Sequence, residues 1–247
     1  MAVALGTQDC EIYTDVDGIF SADPRLVPQA QKLDLISYEE TLEMASLGAK
    51  VMHPRSVELA ERNKLQVTIR SSFNNTPGTE LVNRNEIEIE TGTRVRSVVD
   101  DSNVARITVE RVPDAPGVAH SLFQPLANAG INVDVILQNL SHDGATDISF
   151  TVGRNDLPKA IQIAEHIAND VGAGGVTSSE ELGKISIVGI GMRSTPGIAA
   201  LMFDTLAKLD INIVSITTSE ILITCLIEEI KLQEAARALH TAFGLDR

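Results

Sequence analysis

Two stretches of the chain carry the same run of hydrophobic and polar positions. Residues 116–139 read PGVAHSLFQPLANAGINVDVILQN and residues 196–219 read PGIAALMFDTLAKLDINIVSITTS; at a constant offset of 80, nine of the 24 positions are identical. Before each copy an alternating segment, Ala105–Val109 or Lys184–Val188, predicts a strand. A helix follows in each, with Val118, Leu122, Phe123 and Leu126, or Ile198, Leu201, Met202, Leu206 and Leu209, at helical spacing. Short turns lead to β-branched strands at Ile131–Leu137 and Ile211–Thr217. Asp143-Gly144 predicts a hairpin turn into a strand at Thr146–Val152, with Ile221–Ile227 as its counterpart. Closing helices are expected near 156–169 and 231–242. The order βαββαβ is the split ferredoxin-like unit, here duplicated, so an α+β fold is expected.

The first hundred residues follow another pattern. A strand at Glu11–Thr14 runs into the Asp- and Gly-rich loop Asp15–Arg25. Helices are predicted near 37–47, ending at Gly48, and near 54–63, with Pro54 in the first turn. A strand at Gln66–Arg70 precedes Asn74–Gly78. This is α/β material resembling the end of a larger domain. The expected organisation is an α/β part at 1–82, a linker at 83–103 (Asn83–Thr93 reading as polar linker or edge strand), and repeat units at 104–172 and 183–247. The start almost directly on the strand at Cys10–Thr14 reads as the point where more of that domain is missing.

Composition narrows the function. The chain has 247 residues, 20 Lys and Arg against 34 Asp and Glu, and a net charge of −14. Such a chain repels a phosphate backbone, which argues against nucleic acid as a partner. With six Phe, two Tyr and no Trp, the core is aliphatic and base-stacking platforms are few. Cys10 and Cys225 form neither a disulfide framework nor a metal cluster, and no apolar run reaches a membrane-spanning length. A cytoplasmic protein with no metal site and no membrane contact is expected.

Loops after strands of α/β sheets are where ligands bind, because amides and short polar side chains converge there. Loop 14–25 gathers Asp15, Asp17 and Asp23 with Thr14, Ser21 and Arg25; its Asp-Gly and Asp-Pro pairs serve equally well as plain turns. Lys50 is either a point charge for a phosphate or a solvated surface lysine.

The segments CEIYTDVDGIFSADPR (10–25), TLEMASLGAKVMHPRSVELA (41–60) and IRSSFNNTPGTEL (69–81) resemble the last part of an aspartate kinase catalytic domain, of the amino-acid kinase type. The two repeats resemble the paired ACT domains that follow it, so the likeness runs through the whole chain. The resemblance implies transfer of the ATP γ-phosphate to the side-chain carboxylate of aspartate, in lysine, threonine and methionine synthesis. It places Thr14, Asp15, Phe20 and Arg25 around the nucleotide and Lys50 near the phosphates, with magnesium arriving on the ATP. The family's Lys-Phe-Gly-Gly-Thr segment does not occur in these residues. The catalytic site is therefore incomplete here, and the chain alone is expected to be inactive.

The resemblance further implies a regulatory role, with threonine, lysine or both as feedback effectors. A helix start with open amides suits a carboxylate. In the first copy, Asp114 would meet the ammonium, and Gly117, Val118 and Ala119 the carboxylate. Gln138, Asn139 and Ser141 would lie around them, with Asn212 and Ile213 from the second copy. A second site would use Met192, Ser194, Ala199, Thr218, Ser219 and Glu220, but Arg193 stands where Asp114 does, so the two sites differ. Structurally, the Pro-Gly pairs need only start helices. Asp147 and Ser149 either tune coupling or are plain hairpin surface. A homodimer through the repeats is expected, working with a remaining catalytic domain or catalytic subunit. Two rivals are a separately made regulatory subunit and a stand-alone amino-acid-binding module without catalysis.

Overall fold

The computed structural model describes residues 1–49, 52–87, 95–139, 143–192 and 195–246. In chain order the elements are α1 (Ala2–Leu5), β1 (Asp9–Thr14), β2 (Leu35–Ser37), α2 (Tyr38–Ser46), α3 (Pro54–Arg62), β3 (Gln66–Ser71) and β4 (Thr79–Val82). There follow β5 (Ser97–Asp101), β6 (Ala105–Pro113), α4 (Val118–Asn128), β7 (Ile136–Gln138), β8 (Ala145–Val152), α5 (Leu157–Val171) and β9 (Gly175–Ser179). The last are β10 (Leu182–Val188), α6 (Ile198–Lys208), β11 (Ser215–Thr218), β12 (Leu222–Glu228) and α7 (Leu232–Ala242). The chain divides into two compact units, Met1–Asp101 with Lys184–Arg247, and Ser102–Gly183.

The unit Ser102–Gly183 is one complete copy of the repeat. Its sheet has the order β7-β8-β6-β9, all antiparallel, so βαββαβ is realised with β9 as the sixth element. That strand lies beyond the predicted limit at 172. Helices α4 and α5 cover one face through Leu122, Leu126, Ala160 and Ala164, which meet Ile107, Ile148 and Phe150. Phe123 and Phe150 pack edge to face, with centroids 5.4 Å apart. At the hairpin, Asp143 and Gly144 both take positive φ, 56° and 75°, as a type I′ turn requires. The predicted strand at Ile131–Leu137 is shorter, since only Ile136–Gln138 pairs regularly. Val135 is diverted by the Thr151 side chain, whose Oγ1 accepts its N–H at 3.0 Å.

The other unit departs further from expectation. The second copy's sheet has the order β11-β12-β10-β5, so its fourth strand is Ser97–Asp101, from within the span predicted as linker. No strand follows α7 among the described residues. The unit therefore borrows the sixth element from a segment that precedes the first copy. Here too the predicted strand at Ile211–Thr217 contracts, to Ser215–Thr218.

The reason β5 is held shows in its burial. Val98 packs with Ile185, Ile187, Met202 and Leu239 under helices α6 and α7. Val99, pointing the opposite way as strand geometry demands, joins Val188 in the core of the first segment with Ile36, Met44 and Ile69. All seven residues of β10 are buried, so this sheet is covered on both faces. The first segment has its own sheet, of order β1-β3-β4-β2, with β1 parallel to β3, and α2 and α3 packed against it. In both copies a hydroxyl pair bridges neighbouring strands: Thr108 to Ser149 at 2.8 Å and Ser186 to Thr224 at 2.7 Å. Ser149 is thus committed to the sheet.

Candidate functional site

The loop after β1 is held open by backbone pairing. Residues 19–21 run antiparallel to 31–33: Ser21 N–H donates to Gln31 O at 2.8 Å and Leu33 N–H to Ile19 O at 2.8 Å. Thr79 Oγ1 accepts from Ile19 N–H at 2.8 Å and donates to Leu33 O at 2.6 Å, pinning the loop to β4. Because β1 and β3 are parallel, their carboxyl ends lie side by side, and Ser72 N–H donates to Thr14 O at 2.8 Å. Asn74 from the end of β3 donates to Asp17 at 2.7 Å.

Of the residues placed around a nucleotide, Thr14 and Asp15 are joined, with Thr14 Oγ1 donating to Asp15 at 3.0 Å. Arg25 sits at the surface, its side chain 77% exposed, clamped on Asp23 at 2.8 Å. The Asp23 carboxylate, with help from Asp15 and Asp100, pushes the guanidinium pKa further up. An exposed ion pair of this kind is weak, so Arg25 can exchange Asp23 for a phosphate at small cost. Phe20 is half-buried and pairs through its backbone with Lys32. Lys50 lies outside the described residues. Asp100 is half buried, and burial, reinforced by Asp23 and Asp101, raises its pKa. No group of three or more His, Cys, Asp or Glu suited to a metal ion occurs among the described residues.

The two repeat loops end alike. Gly117 and Gly197 cap α4 and α6 with φ of 96° and 98°, and no side chain among the described residues caps either helix start. Only glycine takes that φ without strain; of the first-turn amides of α4, Val118 N–H donates weakly to Ala115 O at 3.4 Å, a contact that a ligand carboxylate would have to replace. Asp114, Gly117 and Ala119 are exposed, and Val118 is half-buried. Gln138 and Asn139 are exposed in the same unit, and Asn139 O accepts from Thr146 Oγ1 at 2.8 Å. Ser141 falls outside the described residues. Asn212 (exposed) and Ile213 (half-buried) belong to the other unit, on the segment that enters β11.

The residues predicted for the second site are not equivalent. Met192 is 6% exposed and packs into the core with Ile198 and Met202, so its side chain is not presented to a ligand. Ser194 is outside the described residues, and Ala199 is half-buried. Thr218, Ser219 and Glu220 are exposed. Ser219 N–H donates to Leu222 O at 2.8 Å in the β11–β12 turn, and Glu220 lies 3.9 Å from Arg84. Asp147 turns out to hold a bulge in β6, accepting the Arg111 N–H at 2.8 Å.

Two buried polar links were not foreseen. Glu40 Oε1 accepts from Ile190 N–H at 2.9 Å, and Ser21 Oγ lies 2.8 Å from His240 Nε2. The Ser37–Glu40 capping box is readable as S-x-x-E, whereas its long-range partner has no local signal.

A family model described as ACT domain matches residues 107–166 and 185–243, and one described as amino acid kinase family matches residues 1–71. An aspartate kinase of Pseudomonas putida is 46% identical over 246 residues, 100% of this chain and 60% of that protein. The chain thus spans about 60% of the length of the curated relatives it matches. A structure of aspartokinase alpha and beta subunits is 44% identical, with a TM-score of 0.57 over 60% of this chain and 98% of that one. The E. coli aspartokinase III structure with aspartate and ADP is 25% identical, with a TM-score of 0.80 over 98% of this chain and 53% of that one. No helix among the described residues is long and apolar enough to cross a membrane. With a kinase-type segment joined to a duplicated ACT pair, and this likeness along its whole length, the chain belongs to the aspartate kinase family.

Proposed function

We propose that these residues form the feedback-sensing portion of an aspartate kinase that phosphorylates the L-aspartate side-chain carboxylate with ATP, and that threonine, lysine or both bind its ACT pair. The observation that carries the reading is the repeated, uncapped glycine start of α4 and α6, the first with Asp114 three residues away. Open amides at a helix start meet a carboxylate, and Asp114 meets an α-ammonium. The second loop lacks such an acid, so its ligand is held more weakly or is of another kind. Thr14, Asp15, Phe20 and Arg25 supply one wall of the nucleotide site, with magnesium carried in by ATP. Charge neutralisation and positioning are what phosphoryl transfer asks of them. A typical coupling of about 1–3 kcal/mol between effector and active site changes activity roughly 5–150-fold. The protein works as a cytoplasmic homodimer through its ACT units, together with the remaining catalytic domain or a catalytic subunit.

Calorimetric titration of the chain with threonine, lysine and ATP tests this. Amino-acid binding in the absence of ATP is expected, weakened by Asp114→Ala; no binding of either amino acid overturns the reading. The 247-residue polypeptide by itself is expected to form no aspartyl phosphate, which a hydroxamate assay reads directly.

A further inference from the structure

Glu40 sits at the third position of α2, 1% exposed, with both carboxylate oxygens committed. Oε2 accepts from Ser37 N–H at 3.2 Å and from Ser37 Oγ at 3.1 Å, while Ser37 Oγ accepts the Glu40 N–H at 3.0 Å. Oε1 accepts from Ile190 N–H at 2.9 Å, across 150 positions of chain. One buried carboxylate therefore serves the N-terminal cap of a kinase-segment helix and the loop between β10 and α6. Ile190 is 5% exposed and stands two residues from Met192, in the loop that ends at the uncapped Gly197.

The far end of α2 is equally constrained. Leu47 caps it and Gly48 follows with φ of +97°, where an added Cβ would lie 3.4 Å from the Asp101 carboxyl carbon on β5. Met44, Leu47 and Ala49 share one core with Val99 and Val188 of the ACT sheet. A close-packed interior transmits a displacement rather than absorbing it. If Ile190 moves, the carboxylate either follows it and drags the cap of α2, or gives up a charge-assisted hydrogen bond.

We propose that Glu40 is a positioning residue that carries the effect of ligand binding, felt at Gly189–Met192, into α2 and so to the Gly48-Ala49 end of the kinase segment. This rests on the sensing role proposed above. The test is hydrogen–deuterium exchange of the chain with and without saturating threonine or lysine. In the wild type, the amino acid is expected to slow exchange at 189–197 and to change it at 38–48. In Glu40→Ala the response at 189–197 persists and the response at 38–48 is lost; Glu40→Gln, with one acceptor oxygen for the Ile190 and Ser37 N–H donors, restores it only in part. Should Glu40→Ala not fold, Glu40→Asp, too short to span both partners, is expected to show the same loss. An undiminished response at 38–48 in Glu40→Ala or Glu40→Asp overturns the proposal, as does a wild type that responds at 189–197 alone. A response confined to Asp114–Ala119 overturns it while leaving the sensing role intact. No response at either loop removes both.

Discussion

The Ser21 hydroxyl lies 2.8 Å from Nε2 of His240, joining the Asp-rich loop to the last helix across 219 positions of chain. Both residues are essentially sealed from water, at 1% and 0% exposure. Ser21 Oγ also accepts from Gln31 N–H at 2.9 Å, and Ser21 O accepts from Val98 N–H at 2.8 Å, so the hydroxyl centres a joint of three segments. Nδ1 of His240 and Oδ1 of Asp246 are buried without hydrogen-bond partners among the described residues.

Burial lowers the His240 pKa below its ordinary 6.5, and the opposing pull of Asp246 is the smaller effect. The folded state thus binds fewer protons than the unfolded chain between its own pKa and about 6.5, so stability is full above that range. It falls as pH drops below about 6.5, and the loss levels off once the folded-state pKa is passed. Chemical denaturation from pH 7.5 to 5 is expected to show this slope in the wild type and a shallower one in His240→Gln, which does not titrate. Equal slopes in the two proteins would overturn the assignment. His240→Ala, which strips the buried Ser21 hydroxyl of its side-chain partner and leaves it only the Gln31 N–H, is expected to cost about 2 kcal/mol at pH 7.5.

What was legible in the sequence was what local periodicity and turn chemistry determine. The helices at 38–46 and 54–62, the Asp143-Gly144 turn and the paired repeat fall where spacing puts them. The missing strand, Ser97–Asp101, carries no local sign of its destination: Arg-Ser-Val-Val-Asp-Asp falls in the span read as linker, and only its burial between two cores explains it. Glu40 was hidden for the same reason. As the third residue of a capping box it reads as a helix-start carboxylate, while its Ile190 partner is fixed by tertiary packing. Met192 shows the opposite case: its side chain is buried in the core, because position in a candidate loop says nothing of which way a side chain turns.

Two glycines separate space from conformation as reasons for having no side chain. A Cβ on Gly78 would stand 2.0 Å from Ile69 O and 2.8 Å from Arg70 Cγ, so Gly78→Ala must move β3 backbone. A loss of about 3 kcal/mol is expected. Gly117 has open space around its missing Cβ but φ of +96°, and Gly117→Ala is expected to cost about 1 kcal/mol. Urea midpoints of the two variants give the comparison, and a milder effect at Gly78 than at Gly117 would contradict it.

Arg111 adopts φ of +50° in the bulge of β6, where its N–H donates to Asp147 Oδ1 at 2.8 Å. The carboxylate compensates a backbone conformation that a residue with a Cβ enters at about 1–2 kcal/mol. Asp147→Ala is therefore expected to destabilise the unit by about 1–2 kcal/mol, and Asp147→Asn, which keeps an acceptor oxygen, by much less. Amide exchange at Arg111 should rise in the alanine variant alone. If both substitutions are silent in stability and exchange, Asp147 does not hold the bulge.

Pro125 lies inside α4 where the duplicated helix α6 has Thr205, and the comparison isolates its cost. Thr205 Oγ1 donates back to Leu201 O at 2.7 Å within an unbroken turn, whereas Pro125 has no N–H to offer Ser121 O and its ring crowds that carbonyl. Pro is about 3 kcal/mol less favourable than Ala in a helix interior. The helix nevertheless runs on to Asn128, so the fold tolerates the ring. Pro125 is half-buried between the core residues Leu122 and Leu126, and replacing it forfeits some packing. The net expectation for Pro125→Ala is a gain of about 1–2 kcal/mol in the unit Ser102–Gly183, read as a higher urea midpoint with unchanged slope. A lower midpoint would mean that the ring's contacts outweigh the missing hydrogen bond.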